Sequence, residues 1–224
     1  MDIKSQEELF EKNWEHYSKI LLEDRVPLFD DSVIYSGKKL YDKNNPPFLA
    51  SIVKVPHSLC ENLQQIQAAF DRIDRRHTYF HHIYFHITLK EFGWEDQVEI
   101  KEISEKMTRV ANNFSPFELE IKGINCFERI IFAQVFDKNQ VLESIFNKIF
   151  EEFPHLEKYF PFYIPHISLA RIETTEARNL IHVINEKYRN IEIGFMRVED
   201  IQIVAARPYL TVGRIDIREK ISLG

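Results

Sequence analysis

The tetrapeptide HITL lies at residues 86–89, and a second tetrapeptide of the same pattern, HISL, lies at residues 166–169. Each begins with a histidine and carries a hydroxyl residue at its third position, with apolar residues at the second and fourth. In an extended strand alternate side chains share one face, so each histidine points the same way as its hydroxyl partner. The side chains predicted on a common polar surface are His86, Thr88, His166 and Ser168.

These four side chains suit chemistry on a phosphodiester. An imidazole changes charge near neutral pH, so two imidazoles can serve as a general base and a general acid. Two hydroxyls can donate hydrogen bonds to the oxygens of a bound anion. We therefore expect His86 and His166 to be catalytic and Thr88 and Ser168 to bind the phosphate, with no metal or other cofactor required.

The similarity between the two halves extends beyond the tetrapeptides. When His86 is aligned with His166, a Tyr-Phe pair at residues 79–80 also falls on a second pair at 159–160. An internal duplication would place the two motif strands side by side about a pseudo-twofold axis, so that both motifs face one cleft. Chance recurrence in a chain with 9 histidines is the alternative.

Composition indicates a folded globular protein. The chain has 224 residues, 44% of them hydrophobic, which suits one domain with a sizeable core. No signal peptide or long apolar segment is visible, so we expect a cytoplasmic monomer that is not bound to a membrane. Cys60 and Cys126 are expected to be reduced thiols, and a catalytic cysteine is the alternative.

The formal net charge of −6 argues against a protein that wraps long duplex DNA. A nucleotide or an RNA end needs only a local positive site, so such a substrate remains compatible with the charge.

Hydrophobic periodicity predicts an α+β fold. A helix over residues 5–22 and an irregular stretch to residue 47 form a predicted N-terminal helical extension (1–47), and the main domain is predicted to span 48–224. Antiparallel sheets are expected to line the central cleft, with helices outside. The predicted helices of the main domain cover 57–73, 95–112, 139–153 and 175–188, and its strands cover 48–55, 83–90, 117–124, 129–136, 164–172, 198–205 and 211–218.

Residues 86–93, HITLKEFG, and 165–171, PHISLAR, resemble the two motifs of the 2H phosphoesterase superfamily. The resemblance is strongest to its LigT-like branch of 2',5' RNA ligases and 2',3'-cyclic phosphodiesterases, and it covers residues 48–218. It implies a metal-independent phosphodiesterase acting on a 2',3'-cyclic or 2',5'-linked RNA or nucleotide, with reversible 2',5' ligase activity. Ser168 departs from the threonine most often found in the second motif but keeps the hydroxyl.

Two questions stay open at this point. The sequence does not assign the base and the acid to particular histidines, because hydrolysis and ligation differ only in whether water or a ribose hydroxyl attacks or leaves. A noncatalytic protein that binds a nucleotide or an RNA end in the same pocket is the alternative to an enzyme.

Three further residues are candidates for the pocket. Arg171 would clamp the phosphate, but strand periodicity places it opposite to His166, so this role requires a twist or bulge, and a structural ion pair is the alternative. Tyr84 and His82 share the parity of His86 in the predicted strand and would line the pocket. Tyr84 would stack on a base there or else pack in the core.

A metal site is the main rival to this interpretation. On a helix, His77 with His81, or His82 with His86, would have the i, i+4 spacing of metal ligands. The segment is rich in aromatic residues, which favours a strand, and no glutamate accompanies the pairs in a zinc-protease pattern. We therefore predict no metal here.

Overall fold

The protein consists of two antiparallel sheets with helices packed against them. The computed structural model describes residues 3–26, 34–35, 38–39, 42, 44–156, 163–207 and 215–224. The helices are α1 (Ile3–Leu22), α2 (His57–Ile73), α3 (Ile100–Ala111), α4 (Val141–Glu152) and α5 (Arg178–Val183), which continues into a π-helical turn (Ile184–Tyr188). The strands are β1 (Ile34–Tyr35), β2 (Lys38–Lys39), β3 (Phe48–Lys54), β4 (Thr78–Tyr79), β5 (His86–Trp94), β6 (Phe117–Cys126), β7 (Ile130–Phe136), β8 (His166–Arg171), β9 (Glu192–Val198), β10 (Asp200–Ala206) and β11 (Asp216–Ser222).

Each motif strand belongs to a different sheet. The first sheet has the strand order β11-β10-β3-β5, and the second has the order β4-β8-β7-β6-β9. Strand β5 is at the edge of the first sheet, and it contacts β8 of the second, so the two sheets meet along the motif strands. The predicted two-lobed α+β fold is confirmed.

The core lies between the sheets and the outer helices. We call the face of each sheet that carries the motif histidine its inner face and the opposite one its outer face. The apolar motif residues Ile87, Leu89, Ile167 and Leu169 are buried on the outer faces. Helices α3 and α4 contact the first sheet, and α2 contacts the second. Helix α2 shows why these helices form, since its buried residues recur at helical spacing and include Leu59, Leu63, Ile66 and Phe70.

The first motif strand begins later than expected. The prediction of a strand from residue 83 is wrong, because His82–Tyr84 form a 3-10 helical turn and β5 begins at His86. The turn is closed by backbone bonds from the Tyr84 N–H to the His81 carbonyl (2.9 Å) and from the Phe85 N–H to the His82 carbonyl (3.1 Å). Strand parity therefore does not apply to His82 and Tyr84.

Other boundaries differ as well. Helix α3 begins at Ile100 rather than at residue 95, because residues 95–99 form a turn in which the Gln97 N–H donates to the Trp94 carbonyl (2.9 Å). Strand β9 was not predicted; it precedes β10 and pairs with β6. The last predicted strand begins at residues 211–214, which lie outside the described residues, and β11 is seen from Asp216.

Candidate active site

The first motif lies on the inner face of the first sheet. In the pairing of β3 with β5, Lys54 lies opposite His86 and Ile52 lies opposite Thr88. Residues opposite each other in an antiparallel pair project to the same face. The imidazole and the hydroxyl of the first motif therefore share their face with the ammonium group of Lys54.

The second motif is arranged in the same way on the second sheet. Gln134 of β7 lies opposite His166, and Phe132 lies opposite Ser168. Both motif residues are only partly buried, whereas Ile167 between them is fully buried. The alternation that the sequence predicted is thus present in both strands.

Each motif is followed by a β-bulge at the same position. The register of β5 against β3 shifts at Leu89, and that of β8 against β7 shifts at Leu169. Since a bulge adds one residue, the fifth residue after each histidine returns to the inner face. These positions hold Glu91 in the first sheet and Arg171 in the second, so the bulge that Arg171 requires is present.

Both histidines are oriented by the same backbone contact. Nδ1 of His86 bonds to the carbonyl of Tyr84, and Nδ1 of His166 bonds to the carbonyl of Ile164 (2.8 Å). A carbonyl only accepts, so Nδ1 carries the hydrogen in each ring and Nε2 is left for chemistry. Nε2 of His86 lies 3.1 Å from the hydroxyl oxygen of Thr88.

The surroundings of the two rings lower both imidazole pKa values. Burial lowers the pKa of His86 to about 4, against the opposing effect of the Tyr84 carbonyl, and the nearby charges of Lys54 and His166 lower it further. Burial also lowers the pKa of His166, again against its backbone hydrogen bond. The contact between β5 and β8 brings the two motif strands together. Both shifts favour the neutral form of the ring at pH 7.

Further contacts differ between the two histidines. The ring of His166 packs against two phenylalanines, with centroid distances of 5.1 Å to Phe127 and 5.2 Å to Phe132. His86 instead has Lys54 beside it. The first imidazole therefore has a cationic neighbour, whereas the second has two aromatic neighbours.

The sequence model of the 2'-5' RNA ligase superfamily matches residues 55–213. The chain belongs to this superfamily. The resemblance to the 2H phosphoesterases is confirmed, and with it, at the level of the family, the expectation of a phosphoric diester hydrolase.

Two curated relatives of this superfamily member carry the name RNA 2',3'-cyclic phosphodiesterase. The protein from Methanothermobacter thermautotrophicus is 23% identical over 163 residues, covering 70% of this chain and 86% of the relative. The protein from Methanocaldococcus jannaschii is 26% identical over 124 residues, covering 53% and 68% of the two chains.

Solved structures share the fold. TT0787 of Thermus thermophilus superposes with a TM-score of 0.62 at 20% identity and covers 79% of this chain and 97% of its own. Escherichia coli LigT, in a structure with 3'-AMP, superposes with a TM-score of 0.61 at 15% identity and covers 80% and 98% of the two chains.

Two residues of this superfamily member that contact the motifs were not among the predicted site residues. Lys54 is the one charged residue of β3, and its register opposite His86 places it on the inner face. The hydroxyl of Tyr163 donates to the Thr88 carbonyl (2.9 Å) and so joins the approach to the second motif directly to the first motif. Strand periodicity alone would place Tyr163 opposite to His166, but this periodicity does not apply, because Tyr163 precedes β8.

The three further pocket candidates lie in two different elements, with Arg171 in β8 and with His82 and Tyr84 in the 3-10 turn. Arg171 is on the inner face by register, and its Nε donates to Glu173 (2.7 Å), so the ion pair is observed and the phosphate contact stays a prediction. His82 and Tyr84 stand in the 3-10 turn just before His86. The Gln64 amide nitrogen lies 3.0 Å from Nδ1 of His82.

The structure bears on two rival interpretations, a metal site and a catalytic cysteine. The histidine segment at residues 77–86 is a short strand followed by a 3-10 turn, so no helix gives His77 and His81, or His82 and His86, a ligand spacing. Among the described residues, no group of three or more histidine, cysteine or acidic side chains is placed to hold a metal ion. Burial raises the pKa of Cys60 and raises that of Cys126 to about 12, which opposes thiolate formation.

Helix α1 of the N-terminal extension covers part of the inner face of the second sheet. Phe10 contacts Phe132 and Phe136 at centroid distances of 6.3 and 5.2 Å. Asn13 donates to the Asn125 side-chain oxygen (3.0 Å), and Asn125 lies opposite Phe132. The helix therefore packs on the same face that carries His166. No described helix is long and apolar enough to cross a membrane.

Proposed function

We propose that this protein hydrolyses a 2',3'-cyclic phosphodiester at an RNA end or on a nucleotide, without a metal ion. The observation that carries the proposal is the matched orientation of His86 and His166. In each ring Nδ1 is engaged by a backbone carbonyl, and the two Nε2 atoms remain for proton transfer.

The reaction needs one neutral and one protonated imidazole. The neutral ring takes a proton from water as the water oxygen bonds to phosphorus, and the bond from phosphorus to one ribose oxygen breaks. The protonated ring gives its proton to that leaving oxygen. The two rings end with exchanged protonation, and exchange with solvent restores them. When a ribose hydroxyl of a second RNA end attacks the cyclic phosphate in place of water, the same bond to the ribose oxygen breaks and the product is the 2',5' linkage.

Binding of the anionic substrate favours protonation of one of the two rings. The lowered pKa values favour neutral histidines in the free protein, and an anionic phosphodiester beside them raises their pKa and favours uptake of one proton. The hydroxyls of Thr88 and Ser168 and the ammonium of Lys54 then stabilise the nonbridging oxygens, whose charge is greatest in the transition state.

Two observations on similar proteins support this choice of substrate. The two archaeal relatives are named RNA 2',3'-cyclic phosphodiesterase. Structures of E. coli LigT have been solved with 3'-AMP, with ATP and with phosphate. We extend this to the present chain because both motif strands and their histidine contacts are in place.

The test compares the wild type with His86→Ala and His166→Ala in EDTA. The substrates are 2',3'-cyclic nucleotides, RNA with a cyclic phosphate end, and 2',5'-oligoadenylate. We expect turnover of the cyclic substrates and a loss of roughly 10²–10⁴-fold in kcat for each variant. His182→Ala, at an exposed position on α5, is the control.

Two results would contradict the proposal. A wild type that binds one of these molecules and turns over none is a noncatalytic nucleotide or RNA-end binding protein. Turnover that EDTA abolishes and added metal restores would remove the metal-free mechanism.

A further inference from the structure

We propose that RNA leaves the catalytic cleft past the first sheet, where Lys54 and the imidazoles of His57, His81 and His82 bind the backbone phosphate next to the scissile one. This inference rests on the proposed function, because it concerns the path of the same substrate. Two independent features of the structure lead to it.

The first feature is the obstruction of the second sheet. Helix α1 contacts β6 and β7 on the inner face, with Phe10 buried against Phe132 and Phe136. Asn13 is also buried and donates to Asn125 and to the Cys126 carbonyl (2.7 Å). An RNA chain cannot follow this part of the sheet without displacing a helix held by apolar packing and buried hydrogen bonds.

The second feature is a path of basic side chains that starts at His86. Lys54 lies opposite His86, and its ammonium donates to the Ile83 carbonyl in the 3-10 turn. His82 of that turn has its ring centroid 4.2 Å from that of His81 and 6.4 Å from that of His57. The ammonium and the three imidazoles therefore form a continuous cluster beside the catalytic histidine.

The orientation of His82 suits an anion. Its Nδ1 lies 3.0 Å from the Gln64 amide nitrogen, which can only donate, so Nδ1 accepts and Nε2 carries the hydrogen. Burial and the neighbouring His81, His57 and Lys54 lower the pKa of His82. A bound phosphate would offset this mutual repulsion, so protonation and phosphate binding favour each other.

The other titratable groups around the cluster do not cancel its charge. On α2, Glu61 has a carboxylate oxygen 3.8 Å from Nδ1 of His57, and both side chains are largely exposed. Cys60 of the same helix is a buried thiol whose pKa is raised, and Tyr84 faces His81 as a neutral ring. One carboxylate thus faces three imidazoles and one ammonium.

The experiment compares two substrates that share the scissile cyclic phosphate and differ in the nucleotides that precede it. A 2',3'-cyclic mononucleotide has only the scissile phosphate, whereas a tetraribonucleotide with a 2',3'-cyclic end has three more. The measured quantity is the ratio of kcat/KM for the tetranucleotide to kcat/KM for the mononucleotide. The titration of the catalytic histidines affects both substrates and cancels in this ratio.

We expect the wild-type ratio to rise as the pH falls from 7.5 to 5.5, because the imidazoles gain charge. The triple variant H57Q/H81Q/H82Q should lower the ratio at pH 5.5 by about tenfold, as expected for the loss of charge-assisted phosphate contacts. H182Q, at the exposed α5 position, should keep the wild-type ratio. If the triple variant does not fold, H57Q and H81Q, both at exposed positions, are measured singly.

The outcomes separate the two proposals. If both substrates are turned over and the triple variant has the wild-type ratio at pH 5.5, the RNA path is wrong and the proposed function stands. If the wild type turns over neither substrate, the proposed function fails and the path fails with it.

Discussion

His86 and His166 are the same residue type in the same local geometry, yet they occupy different electrostatic environments. Each donates from Nδ1 to the carbonyl two residues upstream. Lys54 lies opposite His86 on the neighbouring strand, and the rings of Phe127 and Phe132 contact the ring of His166. The two rings are therefore equivalent in orientation and unequal in the charge that they experience.

Lys54→Met tests the charge at His86. Loss of the ammonium removes one cause of the lowered His86 pKa, so that pKa should rise and the acidic limb of the kcat/KM profile should move to higher pH. We also expect kcat/KM at pH 6.5 to fall by about tenfold, because the phosphate loses a cation. Lys187→Met, at an exposed position, should leave the profile unchanged. An acidic limb that does not move would show that Lys54 does not act on His86.

Tyr163→Phe tests the bond between the motifs. The variant keeps the ring, which stacks on Phe146 at 4.6 Å, and loses only the hydroxyl that donates to Thr88. We expect kcat to fall by about tenfold with KM little changed, and the free energy of unfolding to fall by about 1–3 kcal/mol, because a backbone carbonyl loses its partner.

Tyr79→Phe is the matched control for this prediction. It removes a similar tyrosine-to-carbonyl bond, to Asp74 at 2.8 Å, which does not involve either motif. It should reduce stability without the loss in kcat. Equal loss of kcat in both variants would show that the effect of Tyr163 is only on folding.

At the scale of secondary-structure elements, the two motif strands share a β-bulge as well as matching side chains. Leu89 and Leu169 occupy equivalent positions, and both strands change register there. The two strands therefore have the same backbone irregularity but differ in charge. At the equivalent inner position, the first strand carries Glu91 and the second carries Arg171. Positive charge toward the phosphate of the proposed substrate is therefore expected from Arg171 of the second motif strand and from Lys54.

Phe10→Ala tests the contribution of α1. Phe10 is buried against Phe132, which in turn contacts His166, so the variant leaves a cavity beside a ring that packs on His166. We expect the free energy of unfolding, measured with denaturant, to fall by about 3–5 kcal/mol, with a lower kcat in the protein that remains folded. Phe195→Ala removes a ring that is 64% exposed and should change neither quantity. If Phe10→Ala is as stable as Phe195→Ala, then α1 does not support this face.

At the scale of the whole molecule, the site exists only where the two sheets meet. Strands β5 and β8 belong to different sheets, and their contact brings together motifs that are 80 residues apart in the chain. Among the described residues, four partly or fully buried histidines have lowered pKa values, namely His77, His82, His86 and His166.

This arrangement predicts loss of stability in acid. A group whose pKa is lowered by folding binds fewer protons in the folded state, so its contribution is present above the unfolded value of 6.5 and is lost as the pH falls towards the folded value. For His86 that window runs from 6.5 to about 4. We expect Tm to fall between pH 7 and pH 4.5, and H86Q/H166Q to show a smaller fall. An equal fall in both proteins would assign the acid sensitivity to other groups.

Much of the site followed from local pattern. Strand alternation placed His86 with Thr88 and His166 with Ser168, because two-residue periodicity is a property of any extended segment. Helical spacing likewise located α1 and α2 to within a few residues. The misplaced residues, His82 and Tyr84, were those at which the chain leaves the strand for a 3-10 turn closed by backbone hydrogen bonds, which side-chain periodicity does not report.

The amino-acid sequence by itself determined the motif chemistry, the α+β class and the family, because these depend on residue type and on periods of two and 3.6 residues. Only the tertiary structure decided which other groups reach the histidines. Lys54 lies next to His86 through strand pairing, and the hydroxyl of Tyr163 donates to the Thr88 carbonyl between the two lobes. Phe10 contacts Phe132, which packs on His166, through helix packing. These contacts join residues far apart in the chain, and their positions follow from register and packing, which no local pattern encodes.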